Sequence, residues 1–550
     1  MFTDYDKLSS EAWAQLLLAL PVSASLFLRN SIDISSLIFV GHLTIESEHF
    51  LSAAGLASVT ANMTGYSMLV GLAGALATLC SQAHGLGDKE ALCLALQRSF
   101  LILPLLVALP VTILWCFSAS ILRGLRQDSA IANDAHLYLL SLIPALWASS
   151  FSISIQNWLH SQERMVAIFI ITLIIAMLHP LWCYITIFVL NMGFLGAARA
   201  VSMSKCLELL LLYLYLQFSG ILAANNFAWS RKCLDPNGWI PYLQYGLPNL
   251  LMMGEWWASE IAIFMAGSLP SPETEVAAMS VFQSVNSMCF MLPSGFQVAA
   301  STRVGKHLGA NDATSAGVSC SVAPAMAMMI SALMAMLVLL LRSQLGLMFT
   351  EDERVLIVVK TLFLVLSLYV IFDGIQSALT GVLKGMGRQA LAAPVVLIAY
   401  YVIGLPLAAT FGFAFGLGWG ATGICIGTTV GVAAQMTAYM LIVGWTDWDA
   451  EAERAQIELM QRRALDWASE EGDWWSLDYR SSPRPVIKVR KPLHQRVKEA
   501  FIGMFRGSDE ATYRLVSTNG DYSANNALID RDHGNSIFDD IVDEEEETHR

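Results

Sequence analysis

Two carboxylates and two indoles occur together inside an apolar stretch near the middle of the chain. The stretch runs from about residue 240 to 269, which is long enough to cross a bilayer as a helix. It contains Glu255, Trp256, Trp257 and Glu260. Charge at membrane depth is costly, so such residues usually mark a functional site. A carboxylate there can hold a proton or pair with a cation, and the two uses oppose each other.

Helical geometry separates the members of this group. Five residues correspond to a rotation of roughly 140°, so Glu255 and Glu260 cannot both point straight into one cavity. We expect Glu255 to be the better placed, with Glu260 either held inside the bundle by hydrogen bonds or serving as a structural carboxylate. Trp256 and Trp257 diverge by about 100°, so at most one offers its ring to an organic cation. Packing or anchoring at the membrane interface is the alternative for both indoles.

The composition is that of a polytopic membrane protein. Of the 550 residues, 55% are hydrophobic and only 14% are charged, and the mean hydropathy is +0.54. The formal charge of −13 comes largely from acidic residues after Trp445, which argues against a nucleic-acid partner. Nine single cysteines and the absence of hydrolase, zinc-protease or nucleotide-binding motifs predict no metal site and no enzyme activity.

About twelve apolar runs of spanning length follow one another, and the chain reads as a duplicated six-helix unit. Leu20-Pro21 recurs as Leu247-Pro248, and the Gly193–Gly196 segment recurs as Gly420–Gly423. We predict an N-lobe over 1–223, an interlobe loop over 224–239, a C-lobe over 240–446 and a cytoplasmic tail over 447–550. Because six is even, the repeats are parallel, and two such bundles can enclose a central cavity.

The distribution of basic residues predicts which side is cytoplasmic. One side collects nine of them, which are Lys7, Lys89, Arg164, Arg231, Lys232, Arg303, Lys306, Lys384 and Arg388. The other side has fewer, so the first side and both termini are expected in the cytoplasm.

In the tail, 450–468 mixes Glu and Arg at helical spacing. Residues 484–506 predict either a membrane-surface helix or a packed helix or linker, and the acidic remainder is expected to be partly disordered.

Ordered motifs along roughly residues 11–443 resemble those of the multidrug and toxin extrusion (MATE) transporters, specifically the eukaryotic branch. The motifs are Gly41-His42-Leu43, Asn62-Met63-Thr64-Gly65, Ser81-Gln82-Ala83-His84-Gly85, the 255–260 segment, Leu292-Pro293-Ser294-Gly295-Phe296 through Gly305, Gly381-Val382-Leu383-Lys384-Gly385 and Tyr400-Tyr401 through Pro406. The resemblance implies an all-α polytopic membrane protein with twelve transmembrane helices in two pseudo-symmetric six-helix lobes.

The resemblance also implies a function, namely export of organic cations or other amphiphilic small molecules by alternating access, driven by protons. It implies no cofactor apart from the proton, and we expect a monomer in the plasma membrane or in a vacuolar or vesicular membrane. A sodium-coupled exporter, or an exporter of organic anions such as citrate, is the alternative within the same fold. An intramembrane lipid-modifying enzyme is a remote alternative, because it would need a nucleophile or a histidine cluster at one depth.

By resemblance, Glu255 is the central acid, Glu260 a companion and Asp373 the second C-lobe acid, while Asn62 matches a polar N-lobe position. Three further side chains are candidates for the site. They are Gln283, which stands where many eukaryotic members have a glutamate, Tyr400, which either lines the cavity or packs, and Asp33.

Arg29 and Asp33 are four residues apart and share a helix face. This spacing predicts an intrahelical salt bridge that neutralises both charges. A role for Asp33 as an N-lobe proton site is the alternative.

Overall fold

The computed structural model describes residues 2–41, 47–125, 127–350, 352–413 and 416–468, and this part of the chain is helical without strands. Twelve long helical segments and one shorter helix follow in order. They are α1 (Phe2–Gly41), α2 (His49–Leu86), α3 (Lys89–Cys116), α4 (Ser129–Ser161), α5 (Met165–Val189), α6 (Phe194–Phe218), α7 (Pro236–Met252 and Gly254–Ala266), α8 (Pro272–Gly309), α9 (Ala313–Leu347), α10 (Glu353–Met386), α11 (Gln389–Gly412), α12 (Gly420–Gly444) and α13 (Trp448–Ala468).

The twelve apolar runs of the sequence correspond to α1–α12. Ten of these helices are long and apolar enough to span a membrane by length and composition alone. The other two are α6, which carries Arg199, Lys205 and Glu208, and α7, which is divided into two segments at Met253. The first departure places charged side chains, and the second an interruption of the helix, where a site can form.

Several of the long helices contain a π-helical turn. These turns cover Asn62–Tyr66 in α2, Pro104–Ala108 in α3, Ile185–Val189 in α5 and Ile398–Gly404 in α11. A π turn inserts an extra residue and rotates the helix face that follows, which is why such turns are frequent at functional sites. Two candidate site residues, Asn62 and Tyr400, lie in these turns.

The apolar side chains form two cores. One is built mainly from α2–α6 and includes Trp115 and Trp158, and the other is built mainly from α7–α12 and includes Phe363 and Tyr439. Tyr242 of α7 belongs to the first core, so the beginning of α7 packs against the N-terminal half of the chain. The predicted limits of the lobes and of the loop between them stay a prediction.

The two halves meet at the end of the bundle that also carries α13, which we call the α13 end. Hydrogen bonds join them there: for example, Thr78 donates to the carbonyl oxygen of Lys384 at 2.5 Å, and Gln82 donates to that of Gly385 at 3.2 Å. A Cβ on Gly309 of α8 would collide with the backbone of Gln82 in α2, so these helices require glycine at their contact.

Ion pairs reinforce this contact between the halves. Arg303 of α8 pairs with Glu11 of α1 and, at 3.2 Å, with Glu163 in the α4–α5 turn, while Lys306 lies 2.9 Å from the same Glu163 carboxylate. Ser319 of α9 also donates to Glu11, at 2.6 Å. The α13 end is therefore closed by backbone packing and by charge pairing together.

The mixed charge pattern of 450–468 forms a helix, as its spacing predicts. In α13 the buried residues Ala452, Ala455 and Leu459 recur at helical spacing and face the bundle. The basic segment 484–506 and the acidic tail lie outside the described residues.

Candidate functional site

Glu255 lies in the first turn of the second segment of α7, directly after the break at Met253. Gln435 of α12 donates from Nε2 to Glu255 Oε2 at 3.4 Å and to Gln376 Oε1 at 3.0 Å. Gln376 in turn donates from Nε2 to Asp373 Oδ1 at 2.9 Å. Two glutamines thus connect the carboxylates of Glu255 and Asp373 across α7, α12 and α10.

One face of α10 carries most of this cluster. Asp373, Gln376, Thr380 and Lys384 follow one another at intervals of three or four residues, so they line up along the helix. Thr380 donates to Gln376 Oε1 at 3.2 Å. Asp373 is 6% exposed, and neither it nor Glu255 forms an ion pair within the described ranges. Both acids are therefore held by amides rather than by bonded cations.

Gln435 keeps one unused hydrogen-bonding atom beside Glu255. Its Oε1 atom is buried and finds no donor among the residues that the structure describes. An ionised Glu255 can only accept hydrogen bonds, whereas a protonated one can also donate. The amide of Gln435 can therefore serve either protonation state, through Nε2 for the anion and through Oε1 for the acid.

The two indoles, Trp256 and Trp257, differ in exposure, as their different directions on the helix predict. Trp256 is 51% exposed and meets Phe290 edge-on, with ring centroids 6.4 Å apart. Trp257 is partly buried, and its buried Nε1 has no acceptor in the described part of the chain. Tyr400 is 3% exposed and belongs to the core, while Tyr401 donates to the carbonyl oxygen of Gly254 at 3.0 Å and braces the segment that carries Glu255.

Glu260 and Gln283 remain apart from the cluster. Both are partly buried, and within the described ranges neither forms a hydrogen bond or an ion pair. The hydrogen bonds expected for Glu260 are thus not present. Its position one and a half turns beyond Glu255 separates it from the glutamine chain.

The predicted salt bridge between Arg29 and Asp33 is wrong. Arg29 instead donates to Glu208 of α6 at 2.8 Å and to Gln156 of α4 at 2.6 Å. Lys205 lies 3.3 Å from Glu208 as well. Glu208 is 4% exposed, so its carboxylate needs a counter-charge within the bundle. Asp33 is accessible at the surface of α1.

Sequence reasoning missed three residues of these clusters. Gln376 could have been found from its position three residues after Asp373, and Glu208 from its charge within an apolar helix. Gln435 offers no such signal, because its relation to Glu255 depends on the packing of α12 against α7. Asn62, which was a candidate, is exposed at the start of a π turn.

A family model described as MatE matches residues 21–185 and 250–410. The chain belongs to the MATE family. The matched ranges include Arg29, which pairs with Glu208. They also include Glu255, Asp373 and Gln376 of the hydrogen-bonded chain between the two acids. Gln435 lies beyond the second range.

Arabidopsis thaliana relatives of this MATE chain match most of its length. "Protein DETOXIFICATION 14" is 32% identical over 80% of this chain and 89% of its own length. "Protein DETOXIFICATION 51" is 33% identical over 81% of this chain and 83% of its own length. The chain is thus a eukaryotic-type MATE transporter by sequence as well as by motif.

Solved structures agree with the fold. The crystal structure of the eukaryotic MATE transporter AtDTX14 superposes with a TM-score of 0.75 at 32% identity, covering 82% of this chain and 98% of that one. An outward-facing multidrug-resistance MATE transporter of the MOP superfamily superposes with a TM-score of 0.70 at 18% identity, covering 81% and 97%. This MATE chain therefore has the family's architecture of twelve transmembrane helices in two six-helix lobes.

Proposed function

We propose that this MATE transporter is a proton-coupled antiporter that exports organic cations or related amphiphilic molecules by alternating access. The observation that carries the proposal is the linked pair of Glu255 and Asp373, two acids without a bonded cation in the described part of the chain. Acids of this kind at membrane depth favour binding of either a proton or a cationic ligand.

Glu255 is the proposed point of exchange. When it is ionised, it attracts a cationic substrate and accepts the hydrogen bond of Gln435. When a proton arrives from the acidic side, the charge disappears and the electrostatic attraction for the substrate is lost. The protonated carboxyl can then donate to the unused Oε1 of Gln435, which favours the release state. Such a difference in affinity between two states is what coupling requires.

Asp373 is the proposed second acid. Through Gln376 and Gln435, a change of protonation at either carboxylate alters the hydrogen bonds available to the other. Trp256 is the indole that can contact an organic cation, since Trp257 is the more buried of the two.

We further propose that the α13 end faces the cytoplasm and that the transporter works as a monomer in the plasma membrane or in a vacuolar or vesicular membrane. Basic residues concentrate at this end, including Arg303, Lys306 and Arg388. With that end closed, the arrangement corresponds to a state from which substrate leaves on the opposite side.

Transport in proteoliposomes with independently imposed gradients tests the coupling. The purified transporter should move a fluorescent organic cation against its gradient when a proton gradient is applied and stop when that gradient is dissipated. Transport driven by a sodium gradient alone would show that sodium, and not the proton, is the coupling ion. Transport of citrate but not of the cation would show that the substrates are organic anions rather than organic cations.

A matched pair of variants tests the central residue. Glu255→Gln should abolish proton-driven exchange, because the amide keeps the shape but can neither ionise nor bind a proton. Glu260→Gln should retain most of the exchange, because Glu260 lies outside the glutamine chain. Equal losses in the two variants, with both proteins folded, would contradict the assignment of Glu255.

A further inference from the structure

Helix α13 is firmly attached to the C-terminal half of the bundle. Glu451 is 3% exposed and accepts three hydrogen bonds from Arg388, just before α11, at 3.0, 3.2 and 2.5 Å. Gln456 donates to the carbonyl oxygens of Leu308 and Gly309, which end α8, at 3.1 and 2.8 Å. Arg454 donates to the carbonyl oxygen of Met386, which ends α10, at 2.7 Å. The first turns of α13 therefore cap C-half helices.

The last turns of α13 reach the other half. Arg463 lies 2.6 Å from Asp88 in the α2–α3 turn, and Asp466 lies 2.5 Å from Arg98 of α3. Between Glu451 and Asp466 the helix advances about 22 Å. One helix thus carries its capping contacts at one end and two inter-half ion pairs at the other.

The two ends differ in the kind of contact they make. The C-half contacts include the carbonyl oxygens of Met386 and Gly309, which lie at helix ends where no further turn of the same helix supplies a donor. These contacts lie in the part of α13 that directly follows α12 in the chain. The N-half contacts join side chains only. The side chain of Arg463 is 63% exposed, whereas those of Asp88, Arg98 and Asp466 are 9%, 10% and 15% exposed. Separation of the two halves would bring these three charges into water as their ion pairs break.

We infer that α13 is a latch that moves with the C-terminal half and holds the N-terminal half through Arg463 and Asp466 while the α13 end is closed. Opening that end separates the two halves, so the two ion pairs must break in each transport cycle. The inference rests on the proposed alternating access, but it concerns the closed state and does not depend on which ion drives transport.

Hydrogen–deuterium exchange of the full-length chain tests the latch without substrate or ion gradient. Arg463→Glu places two negative charges together at Asp88 and should favour opening. Amides in the end turns of α2 (78–86) and α8 (301–309) should then exchange about two- to fivefold faster. Arg354→Glu is the matched control, because Arg354 pairs at 3.1 Å with Asp352, its neighbour in the same half.

A charge exchange separates latching from general damage. Asp466→Arg alone should raise exchange in the same segments, and Arg98→Asp combined with Asp466→Arg should restore it toward the wild-type rate. Wild-type exchange in both single variants would overturn the inference, and so would a double variant that exchanges no more slowly than Asp466→Arg. Since no transport is measured, loss of coupling in Glu255→Gln would leave this result unaffected.

Discussion

Gly309 lies against the backbone of Gln82, and replacing it with alanine tests whether this contact keeps the α13 end closed. A Cβ on Gly309 would lie 2.8 Å from the carbonyl carbon and 2.9 Å from Cα of Gln82, and closer still to the carbonyl oxygen. Carbon atoms usually approach no nearer than about 3.5 Å. The two helices must therefore separate by roughly 1 Å at this point, or α8 must bend.

The cost of Gly309→Ala falls on the closed state, because the contact joins the two halves. Overpacking of this kind costs about 1–3 kcal/mol. A free energy of that size changes an equilibrium between two conformations by about 5- to 150-fold. We therefore expect the variant to open the α13 end, with much less effect on the two separate hydrophobic cores.

Hydrogen–deuterium exchange again provides the assay. Amides in 78–86 and 301–309 should exchange faster in Gly309→Ala, while amides in the core of α10 keep their wild-type protection. The control is Gly55→Ala, since a Cβ on Gly55 of α2 meets no atom within 4 Å. Equal exchange in the two alanine variants at the α13 end would refute the argument from close packing.

Three further predictions concern other contacts. Gln435→Leu should preserve folding yet shift the pH dependence of transport, because it removes both the donor and the acceptor beside the exchange carboxylate; an unchanged profile in proteoliposomes would contradict this. Arg29→Ala should lower the free energy of unfolding by about 1–3 kcal/mol by leaving a buried carboxylate short of a partner, whereas the exposed Arg354→Ala should change it by less than about 0.5 kcal/mol in the same thermal-melting assay. Burial raises the pKa of Glu163, but the hydrogen bonds and charges of Lys306 and Arg303 outweigh it, so the pKa lies below the ordinary value of 4.5. Its stabilising effect should thus be full above about pH 4.5 and be lost as the pH falls through the lowered pKa, which melting of wild type and Glu163→Gln across that range will measure.

The fold was predictable because each membrane-spanning helix is recognisable from the hydrophobicity of its own segment of the sequence. An apolar run of about 20 residues has few alternatives in a bilayer, since its backbone must satisfy its own hydrogen bonds. The two exceptions, α6 and α7, carry charge or a break, and the repeat motifs still located them. The helical nature of α13 was likewise visible in the alternation of Glu and Arg.

The site was predictable only in part. Depth in an apolar run singled out Glu255, the family resemblance pointed to Asp373, and helical phase separated Glu255 from Glu260. The pairing of Arg29 was not predictable in the same way, since four-residue spacing offers Asp33 as a partner while packing offers the buried Glu208. Local spacing lists the partners within one helix and says nothing of those on its neighbours.

The sequence by itself determined that this is a membrane protein, that it has twelve helices, and that acidic residues lie at membrane depth. Each conclusion follows because polar and charged groups are unfavourable within a long apolar segment. Only the tertiary structure decided that Gln435 and Gln376 link Glu255 to Asp373, that glycine backbones meet at the α13 end, and that α13 reaches both halves. These contacts join residues far apart in the chain. Their partners are chosen by how the helices pack, which no single segment encodes.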